Sequence, residues 1–132
     1  RHGQAVTGPQ YAASMRFKER WLRVLDDVFR QVDVVLTPTC PVTAPLRTDT
    51  ARMLETTRKI SRFTYAWAMA GTPALSVPCG HAANGLPVGI QLIAPRWHDA
   101  RVLALGAHYQ SATAHHLSVP PMVRDAMARL CP

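Results

Sequence analysis

Apolar side chains recur every three or four positions from Tyr11 onward, at Tyr11, Met15, Trp21, Leu22, Leu25, Val28, Phe29 and Val32. A stripe of that period lies on one face of an α-helix. Arg16, Lys18, Glu19, Arg20, Arg23, Asp26, Asp27 and Arg30 take most of the remaining positions, as in a helix that covers a sheet and turns a charged face to water. Thr7 followed by Gln10 reads as a capping box and Pro9 suits a first helical turn, so this helix is expected to begin near residue 8 or 9. Acids alternate with bases along it, which argues against a membrane-surface helix.

The period then changes. Val34, Val35 and Leu36 form a short apolar run, and Pro38, Pro41 and Pro45 forbid a helix directly after it, which predicts a buried strand running into an extended loop. A second helical segment, with Asp49 or Thr50 as its cap, is expected through Met53, Leu54, Ile60, Phe63, Tyr65, Trp67 and Met69. It stops at Gly71 and breaks near Ser61, where the apolar spacing shifts. "ALSVPC" and "VGIQLIA" are strand-like and flank "GHAANGLP", whose Asn84-Gly85 pair signals a hairpin with a bulge or a wider turn. Asp99 is expected to cap a last long helix from Ala100 to about Ala112, with Val102, Leu103, Leu105, Gly106 and Tyr109 as its stripe. The tail from His115 reads as half loop and one short helix. Helix, strand, helix, strand, strand, helix, with a helical crossover between the first two strands, predicts the α/β class with a mixed β-sheet flanked by helices. So few strands leave exposed edges, which implies further sheet beside them and a tendency to self-association.

Composition narrows the picture. At 132 residues and 48% hydrophobic, the chain has material for one core, and residues 1–132 are read as a single domain or fragment. The net charge of +7 is spread from Arg1 to Arg129 without a dense cluster or interleaved aromatics, so a solvated basic surface is expected and no nucleic-acid partner. Arg1 is not a start methionine and "RHGQAVTGPQY" has no apolar stretch of signal-peptide length, so the chain reads as processed, truncated or cropped. Its apolar runs fall far short of the ~20 residues of a membrane span, so no membrane partner and a cytoplasmic setting are expected. Cys40, Cys79 and Cys131 are odd in number and form no C-x-x-C, as free thiols do.

Candidate chemistry is sparse. Ser76 lies in A-L-S-V-P, without the G-x-S-x-G elbow, and reads as a strand serine that points to a neighbour. Cys79 and His81 are the one local thiol–imidazole pair, but near-adjacent positions rarely give nucleophile-to-base geometry. The histidines at 2, 81, 98, 108, 115 and 116 match no zinc pattern, and no phosphate-cradling glycine loop is present, so neither metal nor cofactor is expected. Asp26-Asp27 belongs to a charged helix face.

Four segments together carry a resemblance: "DVVLTPTCPVTAP", "SRFTYAWAMAGTPALSVPCG", "GLPVGIQLIAP" and "HDARVLALGAHYQ". Across about Thr7 to Pro120 the chain resembles the C-terminal part of the amidase signature family, amide hydrolases that include the glutamyl-tRNA(Gln) amidotransferase A subunit. The resemblance implies an α/β/α fold in which a serine nucleophile is activated by a second serine held by a cis peptide bond and by a lysine, with backbone amides binding the oxyanion. Those three residues belong to the family's upstream half. The only lysines here, Lys18 and Lys59, stand in charged or polar helical surroundings, so no catalytic residue is carried over. The implied partners are the catalytic half of the same fold and a small-molecule amide. The implied substrate-binding residues are Thr39, after "LTPT", and Ser61, Thr64 and Tyr65, near the start of the helix before "AGTP". Ser61 stands where the tRNA-dependent enzyme has an aspartate for the glutamine ammonium, and Ala68 replaces the usual asparagine, which implies a more hydrophobic or aromatic amide. The alternative is a stand-alone, non-catalytic interaction or remnant domain.

Overall fold

The computed structural model describes residues 2–47 and 51–130, and Asp49, Thr50 and Cys131 lie outside them. A short 3₁₀ turn, His2–Ala5, precedes helix α1, Gly8–Phe29. The capping box forms as expected: Gln10 N donates to Thr7 Oγ1 (3.4 Å) and Thr7 N donates to Gln10 Oε1 (2.8 Å). Strand β1, Val35–Pro38, then leads into an extended loop, followed by helices α2, Met53–Ile60, and α3, Tyr65–Ala70. The break between these two falls at Ser61, which C-caps α2. Gly71 ends α3 in the left-handed conformation at φ 67°, satisfying the carbonyls of Trp67 and Ala68. Strands β2, Ala74–His81, and β3, Pro87–Ile93, form the hairpin, with a bulge between Pro78 and Gly80. Helix α4, Asp99–Ala112, a 3₁₀ turn, His115–Leu117, and helix α5, Pro121–Leu130, complete the chain.

The three strands lie in the order β1-β3-β2. The expected mixed sheet is, among the described residues, antiparallel at both pairings. The crossover does return β2 in the direction of β1, but the hairpin inserts β3 between them. The pairings Leu36↔Leu92↔Leu75 and Thr37↔Gln91↔Ser76 assign residues to opposite faces of the sheet. On the leucine face lies α4, and Leu92, Ala94 and Val102 form the core with Val34 and Leu75 packed on it. Gly106 lets α4 come down onto Leu75 and Val77. Arg101 Nη1 donates to Asp33 Oδ1 (2.9 Å), tying α4 to the approach to β1. On the other face sit α1 and the α2–α3 corner, joined by Trp21 Nε1 donating to Ala66 O (3.1 Å) and by the tilted pairing of Trp21 with Trp67 at 6.0 Å.

Several expectations need correction. Only Leu25 of the α1 stripe is fully buried, and Tyr11, Met15 and Val32 are exposed, because the contact of α1 with α3 runs through Trp21, in its second half. Leu36 is exposed because β1 is an edge strand and α4 packs on β2 and β3. Asp99 is the first helical residue of α4 and not its cap; His98 holds the cap position without a side-chain bond.

Both outer strands carry a proline where the sheet tolerates one. Thr39 N donates to Gly89 O (2.9 Å), and Ala94 N donates to Pro73 O (3.1 Å). By strand alternation, Pro38 and Pro78 therefore turn their backbone nitrogens away from β3, where a missing N–H breaks no bond of this sheet.

Candidate functional site

The face of the sheet opposite α4 carries a row of polar groups set by strand period. Thr37 and Gln91 are paired across β1 and β3, and Ser76 and Gln91 across β2 and β3. Thr39 continues the row one residue past β1 through its bond to Gly89. Thr39 and Ser76 lie on opposite sides of the central strand, yet their hydroxyl oxygens are 2.8 Å apart. Gly89 makes this possible: a β-carbon there would stand 3.2 Å from each hydroxyl oxygen and 3.3 Å from Val77 O. The two hydroxyls meet over a gap left by the missing side chain.

That pair lines a cavity of about 580 Å³. The loop from Cys40 to Pro45 forms one wall, and Ile60, Pro87, Val88 and Gly89 form the rest. The prolines of "TPTCPVTAP" hold this loop extended and deny it helix, so it stands off the sheet as a wall. A second cavity of about 350 Å³ adjoins it across Val42–Pro45 and Ile60, and is bordered by Arg52, Glu55 and Lys59 of the α2 segment.

Gln91 anchors the arrangement from beneath. Its side chain is 3% exposed, and its amide nitrogen donates to Thr37 Oγ1 (2.9 Å), Phe63 O (2.9 Å) and Pro38 O (3.2 Å). Two N–H groups shared among three acceptors tie the end of β1 to the α2–α3 corner.

The four residues singled out from sequence fall in two places. Thr39 lines the larger cavity and bonds Ser76. Ser61, Thr64 and Tyr65 gather at the α2–α3 corner, next to Ile60 but outside the cavity lining, where Ser61 O accepts from Thr64 Oγ1 (3.0 Å) and Tyr65 N (3.2 Å). Cys79 Sγ donates to Val88 O (3.6 Å), while His81 Nε2 faces Ser118 Oγ (3.4 Å), so thiol and imidazole are engaged with different neighbours. Sequence reasoning gave Ser76 a neighbour but missed that this neighbour is Thr39. It also passed over Gln91, a polar residue within an apolar strand whose period-two phase with Gly89 was the available signal.

No His, Lys, Asp or Glu is among the described residues that line the larger cavity, so none of these supplies a base to the hydroxyl pair. The pair is equipped to orient the polar end of a bound molecule, by donating or accepting hydrogen bonds, rather than to attack it. Among the described residues, no three His, Cys, Asp or Glu side chains gather into a metal-ligand set.

The Amidase family profile matches residues 2–103 of this chain. The chain is 32% identical over 128 residues to a fatty acid amide hydrolase of Oryza sativa subsp. japonica, covering 93% of this chain and 21% of that protein. It is 36% identical over 121 residues to the A subunit of the glutamyl-tRNA(Gln) amidotransferase of Methylacidiphilum infernorum (isolate V4), covering 85% of this chain and 23% of that protein. Among solved structures, the A subunit of the glutamyl-tRNA(Gln) amidotransferase from Thermotoga maritima matches with a TM-score of 0.64 at 37% identity, over 70% of this chain and 20% of that one. The fold of 6-aminohexanoate cyclic dimer hydrolase matches with a TM-score of 0.79 at 20% identity, over 91% of this chain and 28% of that one. The chain thus spans about a fifth of the length of the curated relatives it matches.

Proposed function

This chain belongs to the amidase signature family, and we propose that it forms the C-terminal portion of an amide hydrolase, supplying part of the central sheet and one wall of the acyl pocket. Residues 1–132 act as one unit against a catalytic half of the same fold that brings the serine, the cis-peptide serine and the lysine. The nucleophile attacks the amide carbonyl there, the amine departs with a proton, and water later releases the acyl group. The observation that carries this reading is the Thr39–Ser76 hydroxyl pair at 2.8 Å, set in a cavity of about 580 Å³ with no His, Lys, Asp or Glu among the described residues that line it.

In this reading Thr39 and Ser76 orient the substrate, and Ser61, Thr64 and Tyr65 serve from the adjoining corner. Ser61 provides no negative charge, which favours a hydrophobic or aromatic amide over one with an α-ammonium. The purified chain alone is expected to leave an aryl amide intact, and its co-expression with the upstream portion of its gene to give turnover. In that complex Thr39→Val is expected to raise KM about fivefold with kcat little changed, the mark of lost uniform binding. Turnover by the chain alone that Cys79→Ala abolishes would overturn the reading.

A further inference from the structure

The described residues that line the larger cavity are threonine, cysteine, proline, valine, alanine, isoleucine, serine and glycine, so none of them brings a cation or a carboxylate. Within this uncharged setting Thr39 Oγ1 and Ser76 Oγ lie 2.8 Å apart, and neither hydroxyl makes another hydrogen bond to a described residue. Whichever of the two donates, one O–H is engaged inside the pair. The pair then offers a ligand one O–H, on the oxygen that accepts, and free lone pairs beside it, on the oxygen that donates. The two offers are adjacent and opposite in kind.

We infer that this pair reads the edge of a carboxamide whose N–H and C=O lie side by side, as in a primary amide, and discriminates against the carboxylate that hydrolysis leaves. The inference rests on the cavity's being the acyl pocket proposed above. It goes further by assigning what the pocket recognises and what it releases. A primary amide closes a ring: the first hydroxyl donates to the second, the second donates to the amide carbonyl, and the amide N–H donates back to the first. All donors then run the same way round, so each bond polarises the next. The carbonyl oxygen keeps its second lone pair for the oxyanion-binding amides of the catalytic half. A carboxylate accepts the single O–H, but its other oxygen is left against a lone pair, and its charge enters a lining with no cation to compensate it. An amide whose N–H lies opposite its carbonyl, the usual secondary form, cannot reach both hydroxyls with one edge.

The test titrates the whole chain, by ligand-observed NMR at neutral pH, with benzamide and three ligands of similar shape: acetophenone, which lacks the N–H; N-methylbenzamide, whose N–H lies opposite its carbonyl; and benzoate. Salt is set high enough to screen the net charge of +7, which would otherwise draw benzoate to any part of the surface. Benzamide is expected to bind about three- to tenfold more tightly than each of the others, the range of one added hydrogen bond. In Ser76→Ala benzamide is expected to fall to the level of acetophenone, with acetophenone unchanged, which shows that the cavity is intact. Gly89→Ala keeps both hydroxyls but sets a β-carbon 3.2 Å from each, and is expected to narrow the preference. Equal affinities, tighter binding of benzoate, or a benzamide preference that survives Ser76→Ala overturns the inference, and so does binding of none of the four. The acyl-pocket reading stands or falls separately, on turnover by the co-expressed protein.

Discussion

Gly106 of α4 and Leu75 of β2 lie in close contact: a β-carbon on Gly106 would run into Leu75 Cδ2, the end of a half-buried side chain that would have to turn aside, with Val77 Cγ1 3.7 Å away. Helix propensity alone favours alanine over glycine by about 1 kcal/mol. Here packing opposes it, because overfilling a closed contact costs about 1–3 kcal/mol.

Gly106→Ala is therefore expected to destabilise the chain by about 1 kcal/mol, the packing cost less the propensity gain. In a Leu75→Ala background the obstruction is gone, and the same change is expected to stabilise by up to about 1 kcal/mol. Urea unfolding of the four proteins of this cycle measures the reversal. The same sign in both backgrounds would show that Leu75 is not what excludes the β-carbon.

Gln91→Leu keeps the volume of the side chain and removes the donor to Thr37, Pro38 and Phe63. The half-buried Phe63 carbonyl and the Pro38 carbonyl lose their partner, at a cost of about 1 kcal/mol. Hydrogen exchange is expected to accelerate most at the α2–α3 corner, where Phe63 is held, and least in α4, on the other face of the sheet.

Trp21 docks α1 onto α3 through its bond to Ala66 O at 3.1 Å and its ring against Trp67 at 6.0 Å. Trp21→Phe retains a ring and loses the indole N–H, for an expected loss of about 1–2 kcal/mol in unfolding free energy. Trp67→Phe spares the N–H bond and is expected to cost less. A larger loss for Trp67→Phe would make the ring contact, and not the hydrogen bond, the dominant tie.

Two left-handed residues should respond in opposite directions. Gly71 at φ 67° suits its place, and Gly71→Ala is expected to cost about 1 kcal/mol, since its β-carbon would meet only Arg96 Nε at an ordinary 4.0 Å and backbone strain is what remains. Trp97 has φ 69° and is 88% exposed, so Trp97→Gly removes strain and few contacts and is expected to gain about 0.5–1 kcal/mol. Thermal unfolding of the two variants should bracket the parent chain.

Where a local rule governs a segment, the sequence was legible. Thr7 with Gln10 gave the start of α1, Gly71 the end of α3, Ser61 the break, and Asn84-Gly85 the hairpin. What period and caps do not encode is who lies beside whom. The hairpin makes β2 and β3 neighbours, and β1 pairs with the free edge of β3 and not of β2, so a chain with a crossover between its first two strands yields two antiparallel pairings. The same limit hid half of the candidate site. Thr39 was legible from the motif around it, but its meeting with Ser76 depends on register across three strands and on Gly89 at the crossing. The second cavity depends on how the Pro-rich loop lies against α2, which no residue period reports.

The prolines at the two outer edges set a limit on how far any neighbouring strand can follow this sheet. A strand laid along β1 finds no donor at Pro38, and one laid along β2 finds none at Pro78, immediately before the bulge. Both stops fall at the level of Thr39, Ser76 and Gly89. A strand paired with either edge forgoes one ladder hydrogen bond there, so an extended sheet is held least tightly at the end that carries the hydroxyl pair.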